Sequence, residues 1–429
     1  MSKPPRLLDM HPIIYLIAEI VLTVLIIGFT PPHSPVRLAG LLLVTLCVTA
    51  CIPGCMPYMV RTPWAALVGG YSVTYLYHYL DIALLSRWSF EHKAPVSNLL
   101  RPTTDSDSAQ QTSTSSSPPS ALERLKFGIK LTSTFRFVGT PYEARNTPKA
   151  ATRSSREFCR RTFITIVLSY VVLDFINAQN DPAIASRFLA LKNIPLLARL
   201  HEVTLEESVI RIFTVIAADV GLTCVQGGIY HVFALLAVSL GISEPADWPP
   251  FYGSIWEAYM LRKFWDICWH QTNTRKFSSI AHYTTHEVFR LPRGTTMARY
   301  TRLLIAFMSS GIMHLVDDLA SGVALHDSGA MRFFMTQAVA LIFEDCIVRL
   351  YDLAPASMRL PKSLTKVLGY IWVSMFLTWS VPAYMYPIMW RTNQGLQDST
   401  IPFSFFGPEA ERGKALSLLC FLGACALLA

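Results

Sequence analysis

"PIIYLIAEIVLTVLIIGFT", Pro12–Thr30, holds a single charged residue, Glu19, in a run of apolar and hydroxyl side chains. About 20 such residues are what a helix needs to cross the ~30 Å hydrocarbon core of a bilayer. The run exceeds a signal-peptide core, and "PPHSPVR" follows it where a small-residue cleavage site would stand. It therefore reads as a retained first span.

The same reading applies to Leu38–Val60, Pro63–Leu85, a shorter run at Phe163–Ala178, Thr301–Ala320, Met331–Val348 and Val367–Trp390. Val209–Ile242 is too long for one ordinary span, and Ala415–Ala429 is short for one. Of 429 residues, 52% are hydrophobic and 15% charged, against about 25% charged in soluble domains. Mean hydropathy is +0.36. The expected fold is all-α, a polytopic transmembrane helical bundle of about eight or nine spans.

The chain divides on composition into 1–85, with three spans, a basic loop at 86–162, and a core at 163–429. Ser86–Thr162 holds thirteen Lys/Arg against six Asp/Glu, so it carries +7 of the chain's +8. Its Thr103–Ser120 stretch, "TTDSDSAQQTSTSSSPPS", reads as disordered linker. A basic loop can bind nucleic acid, but here the preference of Lys and Arg for the cytosolic side explains it more simply, so membrane lipids are expected as partners and nucleic acid is not. With that loop cytosolic, Ser243–Tyr300 is cytosolic too if Val209–Ile242 crosses an odd number of times. Arg349, Arg359, Lys362 and Lys366 then fall on the same side.

The nine cysteines include no CxxC pair. Cys47, Cys51 and Cys55 share a helical face if the helix survives Pro53 and Gly54. Packing between helices explains them more simply than a metal or a lipid anchor.

Two segments stand apart. "YMLRKFWDICWHQTNTRKF", Tyr259–Phe277, is aromatic, basic and histidine-bearing. Pro249, Pro250 and Gly253 stop any helix before it, and from Ser254 onward the pattern predicts one. On that helix Trp265 and Trp269 are neighbours, with Arg262 on their face. An interfacial anchor would look like this. So would an entry site for an anionic, partly apolar ligand, with Arg262 and Lys263 meeting phosphates and the indoles packing on the rest.

The second is "FMSSGIMHLVDDLA", Phe307–Ala320. An ionisable residue in a membrane segment usually faces a cavity or a partner. His314 has Asp317 and Asp318 three and four residues on, so either can reach the imidazole. A satisfied core histidine is the plainer alternative. His78 in "YLYHYL" reads as structural. His282 and His286 have metal-ligand spacing but no third ligand, so no metal is expected.

These blocks resemble the wax-synthase-like membrane acyltransferases, distant relatives of the membrane-bound O-acyltransferases. The nearest likeness is to fungal acetyltransferases of terpenoid and meroterpenoid biosynthesis. The matching blocks are Phe137–Pro148 ("FVGTPYEARNTP"), Trp248–Ser254 ("WPPFYGS"), Leu261–Gln271 ("LRKFWDICWHQ") and Ser310–His314 ("SGIMH"). Asp266 and Ile267 depart from the glycine and basic residue the family's pattern has there, and Arg262, Lys263, Arg275 and Lys276 can compensate.

The resemblance implies a reaction chamber like that of the membrane-bound O-acyltransferases, and acyl transfer from a CoA thioester, acetyl-CoA above all, to a lipophilic alcohol. It implies His314 as general base. His270, with Arg262, Lys263, Trp265, Trp269 and Gln271, would bind the donor. Ser309, Ser310 and the backbone at Gly311 would meet the oxyanion, and Asp317 or Asp318 would orient the base. Location in the endoplasmic reticulum membrane goes with this reading. A long-chain wax-ester synthase and a transporter of lipophilic metabolites are the alternatives. The absence of two-fold internal symmetry disfavours the transporter.

Overall fold

The computed structural model describes residues 10–97, 99, 120–150, 154–392, 399–406 and 409–428. The linker expected at Thr103–Ser120 lies outside them except for Ser120.

Helices dominate: α1 Pro12–Phe29, α2 Pro35–Met59, α3 Thr62–Tyr79, α4 Ala121–Ser133, α5 Ser155–Ala178, α6 Pro182–Phe188, α7 Leu205–Ser239, α8 Leu261–Lys263, α9 Thr274–Tyr283, α10 Thr296–Ala320, α11 Ala330–Leu353, α12 Lys362–Ser380, α13 Pro382–Thr392 and α14 Glu409–Leu428. Their starts are written in the sequence. Proline opens α1, α2 and α3, where its missing N–H costs nothing. Ser34, Ser154, Thr204 and Thr295 cap α2, α5, α7 and α10 by accepting from backbone N–H groups of the first turn. A two-residue antiparallel ladder pairs Trp88 with Pro95 and Ser89 with Ala94.

Five helices, α1, α2, α5, α7 and α10, are long and apolar enough to cross a membrane, and α12 with α13, bent by 43°, makes a sixth if counted as one span. Pro63–Leu85, Met331–Val348 and, as far as Leu428, the run from Ala415 are helical but fall outside that count. Tyrosines, hydroxyls and His78 dilute α3, and α11 carries Arg332, Glu344, Asp345 and Arg349. Val209–Ser239 contains no break: α7 runs for 35 residues, about 52 Å at ~1.5 Å per residue. Exposed stripes of Ile14, Ile17, Val21 and Leu25 on α1, and of Leu38, Leu42 and Leu46 on α2, have the helical repeat and apolarity of lipid-facing surfaces.

The chain packs as two units, Met1–Arg145 with Gln271–Cys346, and Asn146–His270 with Ile347–Ala429. This grouping cuts across the three sections drawn from composition.

In the first unit α1, α2, α3 and α10 form a bundle, and α4 lies along α1. Small residues permit the approach: a Cβ on Gly128 would stand 2.2 Å from the Val24 carbonyl oxygen, and one on Gly69 2.2 Å from the Ala320 Cβ. Part of the basic loop is thus packed structure. Arg37 is fully buried and donates to the Thr30 and Trp88 carbonyls at 2.9 Å each, which joins the start of α2 to the end of α1 and to the two-residue ladder. α2 continues through Pro53 and Pro57, and Cys51 and Cys55 are buried free thiols packed with Tyr15, Ala65 and Ala320.

In the second unit α5 runs along α7, and α14 packs on α5. Cys159 and Ile166 meet Leu235 and Val238 there, with Trp248 against them.

Candidate active site

His314 sits on α10 in the first unit. Helical spacing puts Ser310, His314 and Asp317 on one face. The imidazole Nδ1 and Asp317 Oδ2 are 2.9 Å apart, and the side chains are 24% and 17% exposed. An N–H at Nδ1 donates to the carboxylate, so the Nε2 nitrogen carries the lone pair. The ring also packs on Phe334 of α11, centroids 4.5 Å apart.

The neighbours hold this face in register. On the α3 side, the Tyr77 hydroxyl donates to the Ser309 carbonyl at 3.3 Å, and Thr74 reaches Met313 Sδ at 3.6 Å. A Cβ on Gly70 would come within 3.0 Å of Asp317 Oδ1. On the other side, one on Gly311 would stand 2.8 Å from Met331 Sδ.

Three expectations change here. Gly311 lies inside a continuous helix, so its backbone is engaged in the helical ladder and offers no oxyanion hole; its small size serves the approach of α11. Ser309 is buried on the α3 side, which leaves Ser310 as the hydroxyl on the His314 face. Asp318 is fully buried and accepts from Ser328 Oγ at 2.6 Å, so it fastens the turn after α10 while Asp317 meets the histidine.

The aromatic stretch lies in the second unit up to His270, and it is not the helix expected from Ser254. A 3-10 turn at Ile255–Glu257, the three residues of α8 and a π turn at Phe264–Cys268 follow one another, with Met260 extended between them. The cause is the glycine before it. Gly253 N–H donates to the Cys268 carbonyl at 2.9 Å, and a Cβ there would lie 1.9 Å from the Ile267 oxygen. The "WPPFYGS" segment thus lies directly on the π turn, and a straight helix would part them.

The fold still brings Trp265 and Trp269 together, centroids 5.8 Å apart. His270 stands among Phe251 at 5.2 Å, Trp269 at 5.4 Å and Tyr252 at 5.8 Å. The Tyr252 hydroxyl donates to Gln226 on α7 at 2.7 Å, which fixes the wall of this aromatic box. The sequence marks Tyr252 only as the residue at the family's Phe position in "WPPFYGS" and gives Phe251 no role; the aromatic pair is the signal that points to both.

Lys263 is an ion-pair partner of Glu257 at 2.6 Å and also bonds the Tyr259 hydroxyl. Arg262 lies beside it, half-buried. Gln271 begins the first unit's second segment, is buried, and accepts from Thr274 at 2.7 Å at the start of α9. At the two departing positions, the Asp266 carbonyl accepts from Asn146 of the "FVGTPYEARNTP" block at 3.0 Å and the Ile267 carbonyl abuts Gly253.

His78 is buried against the Leu131 carbonyl at 2.8 Å, a structural histidine. His282 and His286 stand 5.5 Å apart, ring to ring. Among the described residues no cluster of His, Cys, Asp or Glu could hold a metal.

A sequence model of the membrane bound O-acyl transferase family matches residues 248–336, the span that holds the aromatic box and His314. The acetyltransferase aurG of Calcarisporium arbuscula is 31% identical over 378 residues, 85% of this chain and 90% of that protein. The chain belongs to the membrane bound O-acyl transferase family. The acetyltransferase fsoF of Humicola fuscoatra is 29% identical over 405 residues, 87% of this chain and 95% of its own. The acetyltransferase ataH of Aspergillus terreus is 32% identical over 275 residues, 61% and 88% of the two. No solved structure matches. This O-acyltransferase is an integral membrane enzyme.

Proposed function

We propose that this acyltransferase moves an acetyl group from acetyl-CoA to a hydroxyl of a lipophilic, polycyclic acceptor of terpenoid or meroterpenoid type. The observation that carries it is the His314–Asp317 pair, held at 2.9 Å within an apolar helix of the family-matched segment. Acetyl is chosen over a long chain because the similar proteins are named acetyltransferases.

His314 Nε2 takes the acceptor's hydroxyl proton as the oxygen attacks the thioester carbon. Asp317 stabilises the imidazolium that forms. The tetrahedral oxyanion draws on the Ser310 hydroxyl. On collapse the C–S bond breaks, and the CoA thiolate takes the proton from the imidazolium, giving ester and free thiol. Trp265, Trp269 and His270 serve donor binding, with His270 orienting the thioester. A dry chamber limits thioester hydrolysis.

The reading keeps about eight or nine crossings by counting α3, α11 and α14 as spans, in the endoplasmic reticulum membrane, with the basic loop and Ser243–Tyr300 cytosolic. The single run of α7 agrees with an odd number of crossings. The test is to supply membranes containing the protein with radiolabelled acetyl-CoA and a panel of lipophilic alcohols. Label should enter the organic phase as ester, and not when His314 is replaced by Ala. A protein that releases no ester from any acyl-CoA, short or long, is not the transferase described.

A further inference from the structure

The first unit contains a cavity of about 470 Å³ that the reaction above does not use. Its walls carry Arg145, Arg275, Arg293, Arg302, His282 and His286, drawn from the loop before α5, from α9 and the turn after it, and from the first turns of α10. Glu143 is the one acidic residue among the lining residues. Its carboxylate accepts the Gly139 N–H at 2.8 Å.

Among the described residues no carboxylate pairs with Arg145, Arg293 or Arg302. Arg275 is anchored along one edge, by the Tyr142 carbonyl at 2.8 Å and Asp81 at 3.5 Å, and its Nη2 is buried with no hydrogen-bond partner. Arg302 donates to His282 Nε2 at 3.0 Å. A guanidinium can only donate, so the His282 proton sits on Nδ1, a second buried donor with no partner. His286 Nδ1–H donates to the Leu291 carbonyl at 2.8 Å, so its buried Nε2 is the lone-pair nitrogen and is not one of these donors. Burial, with Arg302 next, holds His282 down to about 4. Buried donors without partners, beside several unpaired guanidiniums, are what a bound polyanion satisfies.

We infer that this cavity binds clustered phosphate groups, and that they are those of the CoA donor. The assignment rests on the proposed acyl-CoA dependence. It moves the phosphates away from Lys263, whose charge is already met by Glu257. The volume suits one nucleotide-sized group, since small-ligand pockets run from roughly 300 to 1,000 Å³.

The test uses the full chain in nanodiscs of neutral phospholipid and measures binding of labelled CoA directly, apart from turnover. Arg145 and Arg293 are exposed loop residues, so R145A/R293A should fold, as monodisperse elution would verify. CoA should bind the double variant at least ten-fold more weakly, and the KM for acetyl-CoA should rise by a similar factor with kcat changed less than about three-fold. The charge-retaining R145K/R293K variant should recover most of the affinity. 3′-Dephospho-CoA should bind the wild type more weakly than CoA. An undiminished CoA affinity in R145A/R293A overturns the assignment, as does tighter binding of inositol phosphate headgroups than of CoA. If CoA binding depends on these arginines but no ester forms, the phosphate site stands and the transferase reading fails.

Discussion

Replacing Asp317 by Asn tests whether the half-buried pair on α10 does chemistry or only packs. The carboxylate oxygen lies 2.9 Å from His314 Nδ1, and the change keeps the side chain's size while removing its charge. The carboxylate makes the bond charge-assisted in the resting pair, and it becomes a full ion pair once the imidazole carries the hydroxyl proton. A charge-assisted bond contributes about 1.5–3 kcal/mol net, which at ~1.4 kcal/mol per decade predicts a fall in kcat of roughly 10- to 150-fold. His314→Ala removes the base itself and should cost about 10²–10⁴-fold. Because Asp317 acts through His314, the double variant should be no slower than His314→Ala alone. Turnover is read as labelled ester per folded enzyme, with folded protein counted by size exclusion of a fluorescent fusion. A histidine that only packs against Phe334 predicts instead that activity falls in proportion to folded protein. Near wild-type turnover per folded molecule in either single variant would refute the argument, and so would costs that simply multiply in the double variant.

The other expectations follow from single contacts. His270→Ala should raise the apparent KM for acetyl-CoA while leaving kcat within a few-fold, as loss of uniform binding does; a collapse of kcat would make His270 a base. Gly253→Ala sets a Cβ 1.9 Å from the Ile267 oxygen, so the π turn must part from the "WPPFYGS" segment, and expression with normal kinetics would contradict that geometry. Lys276 is buried on α9, and burial holds its ammonium down to about 7 from an ordinary 10.5. Between those values the unfolded chain binds the extra proton, so its contribution to stability rises with pH across that window and is least below it. In Lys276→Met, thermal unfolding compared at several pH values should lose that increment, and an identical pH trend in both proteins would show that the amine does not titrate there. Glycosylation acceptors placed at Ser116 and Ser278 should both stay unmodified in the endoplasmic reticulum, and modification at either puts that segment in the lumen.

The helical membrane class was legible because it depends on composition over ~20-residue windows, and no later contact changes it. Span boundaries at α1, α2 and α10 lie within a few residues of the apolar runs, where Pro and Ser, Thr or His write the starts. The local shape of 254–270 was not legible. Its periodicity is helical, yet Gly253 must meet Ile267 and Cys268 across the turn, and that contact between separated residues overrides local propensity. The same limit applies to the histidine's partner. Asp317 and Asp318 both have the spacing; Asp317 meets the imidazole, while Asp318 is engaged by the Ser328 hydroxyl, ten residues beyond it. The arginine-lined cavity was hidden more deeply, since its cations come from 145, 275, 293 and 302, in segments with no shared period. Yet it bears on the sequence's own charge argument. Tyr142–Arg145 belong to the loop placed in the cytosol by its excess of Lys and Arg, and Thr274–Arg293 to the Ser243–Tyr300 region placed there by counting spans. One cavity lined by both puts the two segments on one side of the membrane, as the proposed cytosolic placement requires of them.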